Sequence, residues 1–268
     1  MKQPIRKLMG MRPPPVNFVK DYRRTWWTTR HFLNRNRWSC LFALALTLVS
    51  AALFIHPHDK TLLAGVQGQA ADPALSRLAA EVSHWGDFLL FNLGGTFLIW
   101  LFGYLRGLRW IQRLAYSALF GAILAGIVCN AFRFTVGRAR PKAQLEDRFY
   151  GFPGTLNGWD FHGFPSGHTS AVFGTAAPLA TAAGPWGAPV LLVSGTVGWS
   201  RLYKNQHYPT DVMVGAVLGL IFGTATGWHL RKVRLRLSRA KRRQRSRGSV
   251  GGLLSPEYLS SSTPKSIL

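Results

Sequence analysis

Three clusters of polar residues interrupt an otherwise apolar chain, and their residue types suit the handling of phosphate. Arg133 stands seven residues before Arg140-Pro141, Pro165-Ser166-Gly167-His168 follows, and Ser200-Arg201 precedes His207 and Asp211. Arginine presents a planar fork of donors that matches phosphate oxygens, so three converging forks suit a phosphoryl dianion. Ser166-Gly167 at the start of a helix would add backbone N–H groups and the positive end of a helix dipole. His207 and Asp211 lie four residues apart, with Pro209 favouring a turn or helix start between them. The carboxylate could therefore accept a hydrogen bond from one ring nitrogen and leave the other as a nucleophile. His168 would then serve as general acid for the leaving oxygen and as base for water in a second step.

The elements that must hold these clusters are membrane helices. The chain has 268 residues, 47% of them hydrophobic, yet a net charge of +23. The two properties are segregated, with apolar residues in long runs and basic residues crowded at the termini. A membrane crossing needs about 20 apolar residues. The predicted crossings are Trp38 to Ile55, Phe88 to Leu105, Leu114 to Phe132, Thr169 to Ala183, Trp186 to Trp199 and Val212 to Leu230. Gly174, Gly195, Gly215, Gly219 and Gly223 suit close helix packing. Leu75, Leu78, Ala79, Val82 and Trp85 recur at helical spacing and predict a short amphipathic helix at the outer interface. The fold class is thus all-α, a bundle of six transmembrane helices.

The basic leader through Arg37, the loop holding Arg106, Arg109 and Arg113, and the run from Arg231 through Arg243 all fall on one side of such a bundle. The positive-inside rule makes that side cytoplasmic and places both termini there. The chain divides into a basic cytoplasmic leader (1–37), a six-helix domain (38–230) and a tail (231–268) that is basic, then disordered from Gly248. The length of the leader argues against a cleaved signal. Every polar cluster then sits at the outer ends of helices, a coincidence that hydropathy alone did not impose.

With their spacing, these clusters resemble the type 2 phosphatidic acid phosphatase family, which is related to bacterial acid phosphatases and vanadium haloperoxidases. The family pattern runs Lys-x6-Arg-Pro, Pro-Ser-Gly-His, Ser-Arg-x5-His-x3-Asp. Here Arg133, Arg140-Pro141, Pro165 to His168, and Ser200-Arg201 with His207 and Asp211 occupy those positions. The resemblance implies that His207 forms a phosphohistidine, Asp211 orients it and His168 protonates the departing alcohol. Arg133, Arg140, Ser166, Gly167 and Arg201 would bind the phosphate. It implies no metal and no cofactor, and Glu146-Asp147 stand alone in a loop. Arginine replaces the family lysine at position 133, which keeps the charge but alters the geometry offered to phosphate.

Several residues have plainer explanations. His56, His58, His84 and His162 read as interfacial side chains, and Arg138 and Lys142 as loop residues without a motif position. Cys40 and Cys129 read as small buried hydrophobes. Trp159, Phe161 and Phe164 suit a lipid entrance or an aromatic belt equally. The basic ends are explained by topology and by anionic inner-leaflet lipids, with no nucleic acid expected.

The sequence therefore predicts a lipid phosphatase of a bacterial inner membrane with an outward-facing site. Candidate substrates are undecaprenyl pyrophosphate, lipid A phosphate, phosphatidylglycerol phosphate and phosphatidic acid. The alternatives are a lipid phosphotransferase and a catalytically silent anchor with a recruiting basic tail.

Overall fold

A computed structural model describes residues 18–68, 72–156 and 158–253. The first part of the basic leader and the tail beyond Leu253 lie outside the described residues. Within them the regular structure is helical, apart from an isolated bridge between Arg138 and Phe149. The helices are α1 (Phe18–Arg35), α2 (Arg37–Ser50), α3 (Asp59–Gln67), α4 (Pro73–Trp85) and α5 (Gly95–Leu105). There follow α6 (Arg109–Val136), the single turn α7 (Gly151–Thr155), α8 (Gly167–Ala183), α9 (Ala188–Tyr203) and α10 (Pro209–Leu253).

Helices α6, α8 and α10 form the centre of the bundle, each packed on the other two. Small residues make this possible. A methyl group added at Gly121 would strike the backbone of Gly174 across the α6–α8 contact, and one at Gly215 would lie 2.5 Å from the Ser166 carbonyl oxygen. The second contact matters for function, because it seats the start of α8 directly on the first turns of α10. Gly195 behaves differently from the other glycines grouped with it by sequence, since its Cα faces open space.

All six predicted crossings fall on helical segments, but three described helices are long and apolar enough to span a bilayer: Arg37–Gln67, Arg109–Val136 and Pro209–Arg231. A bent pair, Pro73–Trp85 with Leu90–Leu105, makes a fourth if counted as one span. The first of these exposes Trp38, Phe42, Leu46, Leu53 and Phe54, an apolar surface that lipid would cover. Helices α8 and α9 have 17 and 16 residues and are rich in Ala, Gly, Ser and Thr. Much of α8 is buried against protein, which removes the need for a lipid-facing coat. The segment predicted as amphipathic is α4, N-capped by the Asp72 carboxylate, which accepts from the Ala74 N–H at 2.8 Å.

The leader is built into the bundle. Tyr22 and Trp26 meet Phe120 edge-on, Asp21 pairs with Arg113 at 3.1 Å, and Phe32 packs on Trp228. Helix α1 therefore clasps the ends of α6 and α10 that lie away from the polar clusters. At the other terminus α10 continues as helix to Leu253, beyond Gly248 where the sequence predicts regular structure to end. The Arg-, Lys- and Leu-rich stretch before it is made of good helix formers with no proline to stop it.

Candidate active site

The motif residues converge at one end of the bundle. Helix α6 carries Arg133 in its last turn and stops at Gly137, whose positive φ of 58° suits glycine and turns the chain towards Arg138 and Arg140. Helix α8 opens with Gly167 and His168, α9 ends beside Arg201, and α10 starts two residues after His207.

His207 is completely buried. Its Nδ1 lies 2.8 Å from the Gly163 carbonyl oxygen, which can only accept, so Nδ1 carries the proton. That tautomer leaves Nε2 with its lone pair free, and Nε2 is buried without a hydrogen-bond partner. The orienting acceptor is thus a backbone carbonyl rather than Asp211, the acceptor expected from sequence. Asp211 Oδ2 stands 3.6 Å from Nδ1. Its two oxygens are already engaged: Oδ1 accepts from Arg138 Nη1 at 2.7 Å, and Oδ2 accepts the Tyr208 N–H at 2.8 Å. The second bond closes the first turn of α10 as an acidic residue does in a capping box.

The arginines ring this histidine. Arg133 donates from Nε to the Pro165 carbonyl at 3.0 Å and lays its guanidinium on Gly167, where a Cβ would come within 2.6 Å of Nη2. Arg140 donates to Gln206 Oε1 at 3.0 Å, and Arg201 donates to the hydroxyl of Ser83 on α4. The Nε groups of Arg140 and Arg201 are buried without partners. Leaving a buried donor unpaired costs about 1–3 kcal/mol. Among the described residues the other unpaired buried side-chain atoms belong to Asn92, Gln112, Ser117 and Ser170, on helices.

The electrostatics follow from this crowding. Burial, then Arg133, Arg201 and Arg140, hold the His207 ring well below the usual imidazole range, so it stays neutral. Burial and Arg133 likewise lower Arg140. Burial, then Arg201 and His207, push His168 at the mouth of α8 down to about 3, against an opposing pull from Asp87. Asp87 Oδ2 lies 3.7 Å from His168 Nε2, a pairing that sequence reasoning missed.

Ser166 departs from expectation in part. Its N–H is donated to the Asp211 carbonyl at 2.9 Å, and its buried hydroxyl accepts from Thr169 at 2.9 Å. The backbone donors at the helix start are therefore those of Gly167 and His168, whose positions in the first turn leave them outside the helical ladder.

Arg138, without a motif position in sequence, lies in the loop and holds it through Asp147, but it is fully buried and also paired with Asp59 and Asp211. Asp147 thus belongs to a cluster of carboxylates and does not stand alone. His56, Asp59 and Asp147 group as metal ligands do, but Arg138 Nη2 already sits 2.7 Å from a carboxylate oxygen of each aspartate. The guanidinium fills the place of a cation.

Beside the arginines a cavity of about 340 Å³ lies between α6 and α8. His168, Arg133, Asn130 and Asp87 make one part of its wall polar, while Ala122, Ile123, Gly126, Ile127 and Ala171 make the rest apolar. Ile123 and Ile127 are exposed on the outside of the bundle, so the cavity opens sideways.

Residues 114–234, which contain every motif residue of this site, match the model of the PAP2 superfamily. Over this stretch, a little under half of its length, the chain resembles the PAP2 superfamily. Among its relatives, the lipid A 1-phosphatase of Porphyromonas gingivalis is 31% identical over 132 residues, 47% of this chain and 26% of that protein. The lipid A 1-phosphatase of Rhizobium johnstonii is 26% identical over 202 residues, 71% of this chain and 80% of that protein. The lipid A 4'-phosphatase of Bacteroides thetaiotaomicron is 32% identical over 123 residues, 43% of this chain and 54% of that protein. The chain therefore spans about a quarter, four fifths and a half of these relatives respectively. The crystal structure of Aquifex aeolicus LpxE aligns with a TM-score of 0.46 at 20% identity, covering 63% of this chain and 93% of that one.

Proposed function

We propose that this PAP2-like protein is a membrane lipid phosphatase that works through a phosphohistidine on His207. The observation that carries the reading is the set of three unpaired buried atoms, His207 Nε2, Arg140 Nε and Arg201 Nε, on residues that share one electrostatic field with Arg133. A tetrahedral anion supplies what this set lacks, namely acceptors for the guanidinium donors and an electrophilic centre for the imidazole lone pair.

In the first step His207 Nε2 attacks phosphorus. The bond from phosphorus to the lipid oxygen breaks, and His168 delivers a proton to that oxygen. In the second step His168 takes a proton from water, the water oxygen attacks phosphorus, and the bond to Nε2 breaks to release phosphate. A low affinity of the free His168 ring for protons does not prevent the first step. The incoming dianion offsets the arginines that depress it, so binding substrate restores the ring's basicity. Catalysis rests mainly on positive charge arranged before the reaction begins.

The sideways opening of the cavity suits a substrate that arrives within the bilayer, with its chains along Ile123, Gly126 and Ile127 and its phosphate towards His168 and Arg133. The named relatives favour a phosphate of lipid A among the candidate substrates. The basic termini support an orientation in which this end of the bundle faces outward from a bacterial inner membrane.

The test is phosphate release by the detergent-solubilised protein from lipid A, undecaprenyl pyrophosphate, phosphatidylglycerol phosphate and phosphatidic acid, with chelator present. Release from lipid A that survives chelation supports the reading. Release abolished by chelator contradicts the metal-free mechanism. Transfer to an added acceptor lipid without free phosphate would make the protein a phosphotransferase.

A further inference from the structure

Arg138 grips the nucleophile's surroundings from two directions. Its side chain holds the segment that follows His207: Nη1 donates to Thr210 Oγ1 at 2.6 Å and to Asp211 Oδ1 at 2.7 Å, and its guanidinium lies 4.3 Å from the centre of the Tyr208 ring. Its main-chain carbonyl accepts the Gly163 N–H at 2.9 Å, and the Gly163 carbonyl is the group that accepts His207 Nδ1–H at 2.8 Å. One residue thereby fixes both the backbone that carries the imidazole and the acceptor that sets its rotation and tautomer. We infer that Arg138 is a positioning residue for His207, an assignment that rests on His207 being the nucleophile.

The remaining contacts anchor the clamp itself. Nη2 pairs with Asp59 and Asp147, both at 2.7 Å, so the guanidinium cannot swing away from α10. Asp59 also accepts the Thr210 N–H at 3.0 Å, which ties the start of α3 to the opening turn of α10. With every direction blocked by a carboxylate, a hydroxyl or a ring, the Arg138 head group has one arrangement open to it. Lysine keeps the charge but, as a point cation, cannot hold Thr210, Asp211 and the two anchoring aspartates in one plane. The phosphate-facing donors of Arg133, Arg140 and Arg201 make none of these bonds. Loss of the clamp should therefore damage attack by His207 while leaving anion binding intact.

The experiment compares wild type with Arg138→Lys, with Thr210→Val, which removes one grip of the side chain, and with Gly163→Ala. The last tests the main-chain arm, since a Cβ at Gly163 would fall 2.8 Å from the Arg138 carbonyl oxygen. For each, turnover of a lipid phosphate is measured with inhibition by inorganic phosphate and by vanadate. Phosphate reports the arginines alone, whereas vanadate in a transition-state-like geometry also needs Nε2 in line. The expected result for Arg138→Lys is a fall in kcat of about 100-fold, the cost of misplacing a reacting group by about an ångström. Inhibition by phosphate should stay within about threefold and vanadate should weaken about as much as kcat falls. Thr210→Val and Gly163→Ala should show the same pattern with smaller amplitude.

Unchanged kcat and vanadate affinity in Arg138→Lys and Thr210→Val would overturn the inference. So would parallel loss of phosphate and vanadate binding in both, which marks a merely structural brace. His207→Ala separates the two layers of the argument. If that variant retains turnover, the nucleophile assignment fails and the clamp with it. If it is inactive while Arg138→Lys matches wild type, the clamp alone fails.

Discussion

Arg138 and Arg140 are two residues apart and both buried from most solvent, yet the protein treats them in opposite ways. Around Arg138 the carboxylates of Asp59, Asp147 and Asp211 overcome the burial that would otherwise lower it, and hold its guanidinium above the ordinary arginine range. Around Arg140 burial prevails, Arg133 adds to it, and Nε has no partner. The first arginine is neutralised by the protein; the second is left for a ligand to neutralise. In sequence only motif position separates them; in the fold, what separates them is where the acids lie. An arginine saturated by carboxylates is part of the frame, and one held near other cations is part of a binding site.

The largest effect that could break this division lies between the two arginines, at the group each is argued to serve. His207→Ala should lower turnover by about 10⁴-fold or more, as removal of a nucleophile does, with little change in phosphate inhibition. Retained activity would leave the unpaired arginine donors without a reaction to serve. Next, Arg140→Ala should cost about 10²–10³-fold in turnover, while thermal unfolding in detergent shows no destabilisation, because an uncompensated cation has been removed. Arg138→Ala should show the reverse emphasis in stability, losing about 3–5 kcal/mol as three buried carboxylates lose their counter-charge. Equal destabilisation by the two substitutions would erase the distinction.

These contrasts bear on what the chain discloses on its own. The helices were legible because apolar runs and basic flanks are local signals, and the motif residues because their spacing within each cluster is short. Arg201 and His207, from one cluster, fold beside Arg133 and Arg140 from another. The frame was not legible. Asp59 lies 79 residues from Arg138 and accepts its Nη2, and no local pattern links the two. Gly163 acts through its carbonyl, which every residue possesses, so nothing in its side chain marks it. Two clues were available: Arg138 stands among the loops opposite the basic segments, where cations are scarce, and Asp59 and Asp147 lie among the same loops. Helix length alone did not identify α8 as a span, because its small residues let it pack largely inside the bundle with a short apolar run.

Smaller effects sharpen the account further. Arg133→Lys restores the residue of the family pattern and keeps the charge, so turnover should stay within about tenfold of wild type. Loss of the planar stack on Gly167 should appear chiefly in KM. A ¹⁵N-histidine NMR titration, with His207→Ala to assign the signal, should show the His207 ring still neutral where an ordinary imidazole has taken up its proton. Its folded-state pKa lies below the ordinary 6.5, so protonation begins only at lower pH. A midpoint near 6.5 would mean that the surrounding arginines do not act on the ring.

The most direct test of the central claim is rapid acid-free quenching of the protein mixed with ³²P-labelled lipid phosphate, followed by mapping of the labelled peptide. The mechanism predicts an acid-labile, alkali-stable label on the peptide containing His207, absent from His207→Ala. Turnover with no such label under single-turnover conditions, or a label on another residue, would contradict it.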